Sequence, residues 1–201
     1  MLTLAFDTAT TVATCALVRD GDVLGERTTS AARVLEAAHD LLAESGLASE
    51  AISRLVVGTG PGSFTGIRIG LATARALAFV LQTPTAGITT LAALAAGSPG
   101  ALPVIDARRG EVFTLLAGAP VCVKPGEVVV EKRMVCVGDG AVRYRAVLEA
   151  DGVVVPPDAS GAHVPHARWH AQLAETFGPA EDLQPLYLRV PDVDVPRGKT
   201  L

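Results

Sequence analysis

Residues 58–81, GTGPGSFTGIRIGLATARALAFVL, leave this chain few folding options. Pro61 fixes one backbone angle, while Gly58, Gly60, Gly62 and Gly66 reach conformations closed to residues with a Cβ. The first part must therefore be a tight turn. Beyond it, small, apolar and isolated polar residues alternate without a proline, so the spacing predicts a helix from about Thr65 to Gln82, with Ser63 or Thr65 as its cap.

At about 100° per residue, the polar positions of that helix, Arg68, Arg75 and Gln82, fall on one narrow strip. One flank carries Ile67, Leu71, Leu77 and Leu81 with a small residue every fourth position: Gly66, Gly70, Ala74 and Ala78. The other carries Ile69, Ala72, Ala76, Phe79 and Val80. A helix apolar on both sides has more to cover than one sheet face, so one flank is left for a second helix, from this chain or a partner. A membrane span is not expected, because Arg68 and Arg75 interrupt a run already too short for a bilayer.

The rest of the chain fits around this helix. Residues 2–6 form an apolar strand ending at Asp7, 12–19 a second strand, and 23–29 a third after a turn at Asp20–Asp22. Ser30 caps a helix, 31–44, whose apolar face holds Val34, Leu35, Ala38, Leu41 and Leu42. Strands at 54–58 and 85–88 flank the central helix. This βββαβα order predicts a mixed sheet with packed helices in a first lobe, residues 1–97. Ser98, Pro99 and Gly100 mark a boundary to a smaller second lobe, 98–189. That lobe opens as the first does, with strand 102–106, a turn at 107–110 and strand 111–116; strands at 122–130 and 133–137 and a helix at 165–177 complete it. Residues 190–201 read as a mobile tail.

With 49% hydrophobic and 19% charged residues, the chain has the composition of a globular α/β protein. Its amino terminus enters a strand at once and lacks a signal-peptide pattern, so a cytoplasmic location is expected. A net charge of −4 argues against gripping nucleic acid unaided. Cys15, Cys122 and Cys136 lack metal-ligand spacing and read as small hydrophobes.

Asp7 and Asp106 occupy matching places at the ends of the two lobes' first strands. Between two lobes, such carboxylates can hold a hydrated Mg²⁺ while the adjoining turns approach phosphates; turn-capping aspartates are the simpler alternative. His163, His166 and His170 cluster, the last two at the i, i+4 spacing of a metal pair, but no acidic third ligand is near in sequence and no metal is expected. His39 should face solvent. Ser63 lacks the glycine spacing of a nucleophile elbow, and the glycine-rich turn lacks a phosphate-loop lysine.

Four stretches carry a resemblance to a known family: LAFDTAT at 4–10, GPGSFTGIRIGLATARALA at 60–78, IDARRGEVF at 105–113 and PLYLR at 185–189. In their order and spacing the chain resembles the TsaB (YeaZ) family, the non-catalytic members of the bacterial machinery that makes threonylcarbamoyladenosine beside the tRNA anticodon. The resemblance implies an α/β fold of the actin-like and sugar-kinase-like class (ASKHA, ribonuclease H-like), with two related lobes. It implies a subunit that is not an enzyme on its own, which pairs with and activates a TsaD-like catalytic subunit, works with a TsaE-like ATPase, meets tRNA only through the complex, and forms a homodimer when alone.

On that reading Val34, Ala38 and Leu41 of the first helix, with Gly66, Gly70, Ala74 and Ala78 of the second, form the partner interface, and Gly70→Glu should abolish pairing while sparing the fold. Asp7, Thr8, Thr10 and Asp106 are the nucleotide-site candidates. Ala9 stands where nucleotide-binding relatives carry glycine, and Arg108 and Arg109 replace small residues, so no cofactor is expected to bind tightly and ATP with Mg²⁺ is expected only within the complex. The alternatives are an ATP-dependent enzyme using the interlobe cleft, or a peptidase.

Overall fold

A computed structural model describes residues 1–189; the expected mobile tail, 190–201, lies outside the described residues. The first half follows the expected order. β1 (Leu2–Asp7), β2 (Ala13–Arg19) and β3 (Asp22–Thr29) form an antiparallel meander, and a 3-10 turn at Ala31–Arg33 leads into α1 (Val34–Glu44). β4 (Ile52–Gly58) enters α2 (Phe64–Leu81), and β5 (Thr85–Ile88) enters α3 (Thr90–Gly97), an element the sequence pattern did not reveal. The sheet order is β3-β2-β1-β4-β5, with β1, β4 and β5 parallel.

Strand side chains alternate between faces, and this decides what each covers. Leu2, Leu4 and Phe6 of β1 join Leu55 and Val57 of β4 under α1 and α2. Ala5 and Val56 point the other way, into a cluster with Ala167, Ala171 and Phe177. The helix over that second face is α6 (Ala167–Leu173), which packs on β1, β2 and β4. The expectation that 165–177 closes the second lobe is thus corrected: after leaving the second lobe, the chain returns to the first.

The second lobe repeats the first lobe's sheet. β6 (Leu102–Pro103) continues after one residue into β7 (Ile105–Arg108), which pairs with β8 (Glu111–Leu116), and β8 with β9 (Ala119–Val123). On the other edge β6 pairs in parallel with β10 (Cys136–Val137), and Val135 makes a parallel bridge to Val154. The order β9-β8-β7/β6-β10-Val154 matches β3-β2-β1-β4-β5. Short helices α4 (Asp139–Arg143) and α5 (Arg145–Ala150) stand where α2 stands in the first lobe. The strands expected at 122–130 and 133–137 shrink to β9 and β10, because a turn of 3-10 helix at Pro125–Glu127 interrupts the run.

α2 is capped by Ser63, whose Oγ accepts from the Gly66 amide at 3.3 Å. It ends at Gln82, which takes the left-handed conformation at φ 52°. Among the described residues it is the helix long and apolar enough to cross a bilayer by length and composition, but one flank is committed to the sheet.

Candidate functional site

Which flank of α2 packs inward is decided by how close the helix must come to β1. A Cβ on Gly66 would lie 2.1 Å from the Thr8 carbonyl oxygen, and one on Gly70 would lie 2.4 Å from the Thr8 hydroxyl. The Thr8 hydroxyl fills the space, donating to the Gly66 carbonyl at 2.7 Å. Ala74 and Ala78 continue the row into the core, at 0% and 6% exposure.

This corrects the expected interface. Gly66, Gly70, Ala74 and Ala78 are buried against the chain's own sheet, as are Val34, Ala38 and Leu41 of α1 beneath the same helices. Gly70→Glu would therefore strike the fold, where the sequence reading expects the fold to be spared. The residues left outside belong to the opposite flank. Ala72 and Ala76 are exposed, Phe79 and Val80 are 79% and 74% exposed, and Leu35 is exposed on α1. The polar strip beside them is partly engaged: Arg75 donates to the Ala180 and Leu183 carbonyls at 3.3 and 2.6 Å, and the Arg68 guanidinium lies 5.2 Å from the Phe64 ring.

The second candidate region is a cleft of about 440 Å³ between the lobes. Its walls are the turn after β1 (Ala9, Thr10, Thr11), the start of α2 (Ser63, Phe64, Thr65), β7, Asp139, and residues 186–189. Thr10 and Asp106 stand in it; Asp7 and Thr8 do not. β1 alternation turns Asp7 away, toward α3 and α6, where it has no exposed surface. Its Oδ1 accepts from the Ala9 amide at 2.6 Å, and its Oδ2 accepts from the Thr90 hydroxyl at 2.7 Å and lies 2.8 Å from His170 Nε2. Burial pushes this carboxyl up, but the His170 charge and the bonds from His170, Ala9 and Thr90 outweigh it and hold it below the ordinary range. The two aspartates expected to face one another are therefore a buried strut and a cleft residue.

Asp106 brings its own partners. Arg108 and Arg143 place guanidinium nitrogens 3.5 and 3.4 Å from its Oδ2, and the Asp106 amide donates to Asp139 Oδ1 at 3.0 Å. Burial and the neighbouring Asp106 charge raise the Asp139 carboxyl above its usual range, against the backbone bonds it accepts. Asp139 was not anticipated from sequence; the signal available was a Gly-Asp-Gly turn directly after an apolar strand. Arg108 and Arg109 hold left-handed conformations at the hairpin tip, at φ 62° and 56°.

The histidines find separate partners. His170 meets Asp7; His166 Nδ1 lies 3.1 Å from Glu26 on β3; His163 Nδ1 accepts from the Gly138 amide at 3.1 Å. The acids absent from the local sequence come from distant strands, Asp7 to His170 and Glu26 to His166. Among the described residues, no three His, Cys, Asp or Glu side chains are grouped to hold a metal. His39 is exposed on α1, as expected.

The family model described as TsaD, tRNA N6-adenosine threonylcarbamoyltransferase, matches residues 27–124. The Bacillus subtilis protein named tRNA threonylcarbamoyladenosine biosynthesis protein TsaB is 38% identical over 123 residues, 57% of this chain and 54% of that protein. The solved structure of YeaZ from Pseudomonas aeruginosa superposes with a TM-score of 0.78 at 30% identity, covering 93% of this chain and 99% of that one. The chain belongs to the TsaB (YeaZ) family. Its match spans about half the length of the curated relative, whereas the YeaZ structure is covered end to end. A more distant structure, (R)-2-hydroxyglutaryl-CoA dehydratase component A from Acidaminococcus fermentans, shares the fold at a TM-score of 0.50 and 11% identity, over 86% of this chain and 98% of that one. The α/β fold expected from the sequence, a mixed sheet with packed helices, is borne out.

Proposed function

We propose that this chain is a non-catalytic docking subunit in the threonylcarbamoylation of the adenosine beside the tRNA anticodon. It pairs with a TsaD-like catalytic subunit through the outer flank of α2 and, in the assembly, works with a TsaE-like ATPase. The observation that carries this reading is the flank itself: Phe79 and Val80 stand 79% and 74% exposed on a helix whose other side is locked to the sheet. Uncovered aromatic and aliphatic side chains on a rigid helix are what a helix-packing partner needs. The TsaD family match, which includes α1 and α2, and the TsaB relative support the pathway. The same flank serves a homodimer when the chain is alone.

In this reading the isolated chain holds no cofactor tightly, and ATP with Mg²⁺ binds only within the assembled complex. Asp7 and Thr8 are buried and hydrogen-bonded away from the cleft, which leaves Thr10 and Asp106 as the candidates that line it. With a net charge of −4, tRNA is held mainly by the partners, and the location is cytoplasmic.

Reconstituted threonylcarbamoylation of tRNA with TsaD-like and TsaE-like proteins tests this. Modification should require this chain, with none from the chain alone, and Ala76→Glu should remove the stimulation. Full modification without the chain, or with Ala76→Glu as effective as wild type, overturns the reading.

A further inference from the structure

Residues 180–189 cross from the first lobe to the second along one wall of the cleft, and the two ends are held differently. At the first-lobe end, Arg75 on α2 donates to the Ala180 and Leu183 carbonyls, and the Leu183 side chain is buried in the core beneath α1 and α2. Midway, the Leu186 amide donates to the Thr59 carbonyl at 2.8 Å, and the Tyr187 ring lies 5.1 Å from Phe64 in the first turn of α2. At the far end, Leu188 packs on the interlobe cluster of Leu91, Leu94, Ile105 and Phe113, and Arg189 Nη1 donates to Glu111 Oε2 on β8 at 2.6 Å.

We propose that residues 183–189 are a strap that closes the interlobe cleft, anchored permanently on α2 and latched to the second lobe by the Arg189–Glu111 ion pair. The anchor is a buried leucine with charge-assisted bonds to carbonyls, which release reluctantly. The latch is an ion pair whose side chains are 33% and 35% exposed, beside the partly buried Leu188, and a pair so placed holds weakly. Opening therefore begins at Arg189. As 186–189 swing away, the cleft loses one wall, and Thr10, Asp106 and Asp139 become accessible from that side. The strap goes beyond the docking reading and stands or falls independently of it.

The protein carries its own probe. Cys122 on β9 packs on the same cluster as Leu188 and is half-buried, whereas Cys15 and Cys136 have no exposed surface. Burial and the Glu111 charge raise the Cys122 thiol, and the Arg189 charge opposes them. Removing Arg189 has opposite consequences under the two views. If the strap does not move, Arg189→Gln leaves less thiolate and slows reaction with a disulfide reagent. If the latch holds the strap, Arg189→Gln uncovers Cys122 and speeds labelling at least twofold, while Cys15 and Cys136 remain unreactive. Hydrogen exchange supplies the second measurement: in Arg189→Gln the Leu186 amide should exchange about two- to fivefold faster, with β1 and β4 unchanged. Slower or unchanged Cys122 labelling overturns the strap, as does loss of protection spread equally over β1 and β4.

Discussion

His170 Nε2 lies 2.8 Å from Asp7 Oδ2, and neither side chain has any exposed surface. This contact joins the end of β1 to α6, elements more than 150 residues apart in a chain of 201. Removing one partner of a buried pair leaves the other uncompensated, so Asp7→Asn should cost about 3–5 kcal/mol at pH 7. The folded Asp7 carboxyl titrates below its unfolded value, so its contribution is complete above about pH 4 and fades as pH falls through the folded value. The gap in urea stability between wild type and Asp7→Asn should begin to narrow as pH drops from 7 to 3. An equal gap at both pH values would count against the strut.

Gly66→Ala should destabilise strongly, by about 3 kcal/mol or more, because the added carbon meets a backbone oxygen at 2.1 Å that cannot rotate away. Ala72→Ser, on the exposed flank of the same helix, should change stability by less than about 0.5 kcal/mol. Thermal melts of the two variants check which flank is inside.

Phe79→Ala should leave the melting curve nearly unchanged yet weaken pairing with a TsaD-like subunit at least tenfold, as an exposed aromatic anchor would. Calorimetric titration of the two proteins measures it directly. Unaltered affinity would move the interface elsewhere.

The three cysteines should react unequally. Burial pushes the Cys15 thiol up to about 12 and the Cys136 thiol to about 11, and neither side chain is exposed. A thiol-reactive disulfide added to native protein at pH 8 should therefore modify one thiol per chain, at Cys122, and three after urea is added.

The local signals were legible because they depend on few neighbours. Pro61 with its flanking glycines, the Ser63 cap and the uninterrupted run to Gln82 predicted α2 to within a residue at either end. Short apolar runs and the turn at Asp20–Asp22 marked the first meander, and the opening strands of the two lobes could be matched by pattern. Weaker signals failed: α3, a short helix of mostly alanine and leucine, has no polar face to mark its period.

Local pattern was thus enough for the elements of the first lobe other than α3, the two-sided apolar character of α2 and the family. Which flank of α2 is buried needed the folded chain. Both flanks are apolar, so composition cannot choose; the choice rests on the 2.1 Å that a Gly66 side chain would leave to Thr8, a residue 58 positions away. Long-range packing likewise brings α6 back to the first lobe and turns Asp7 to His170 rather than the cleft. Alternation along β1 selects a face of the sheet, but what covers that face is a helix from the far end of the chain, and no local pattern in either segment encodes that pairing.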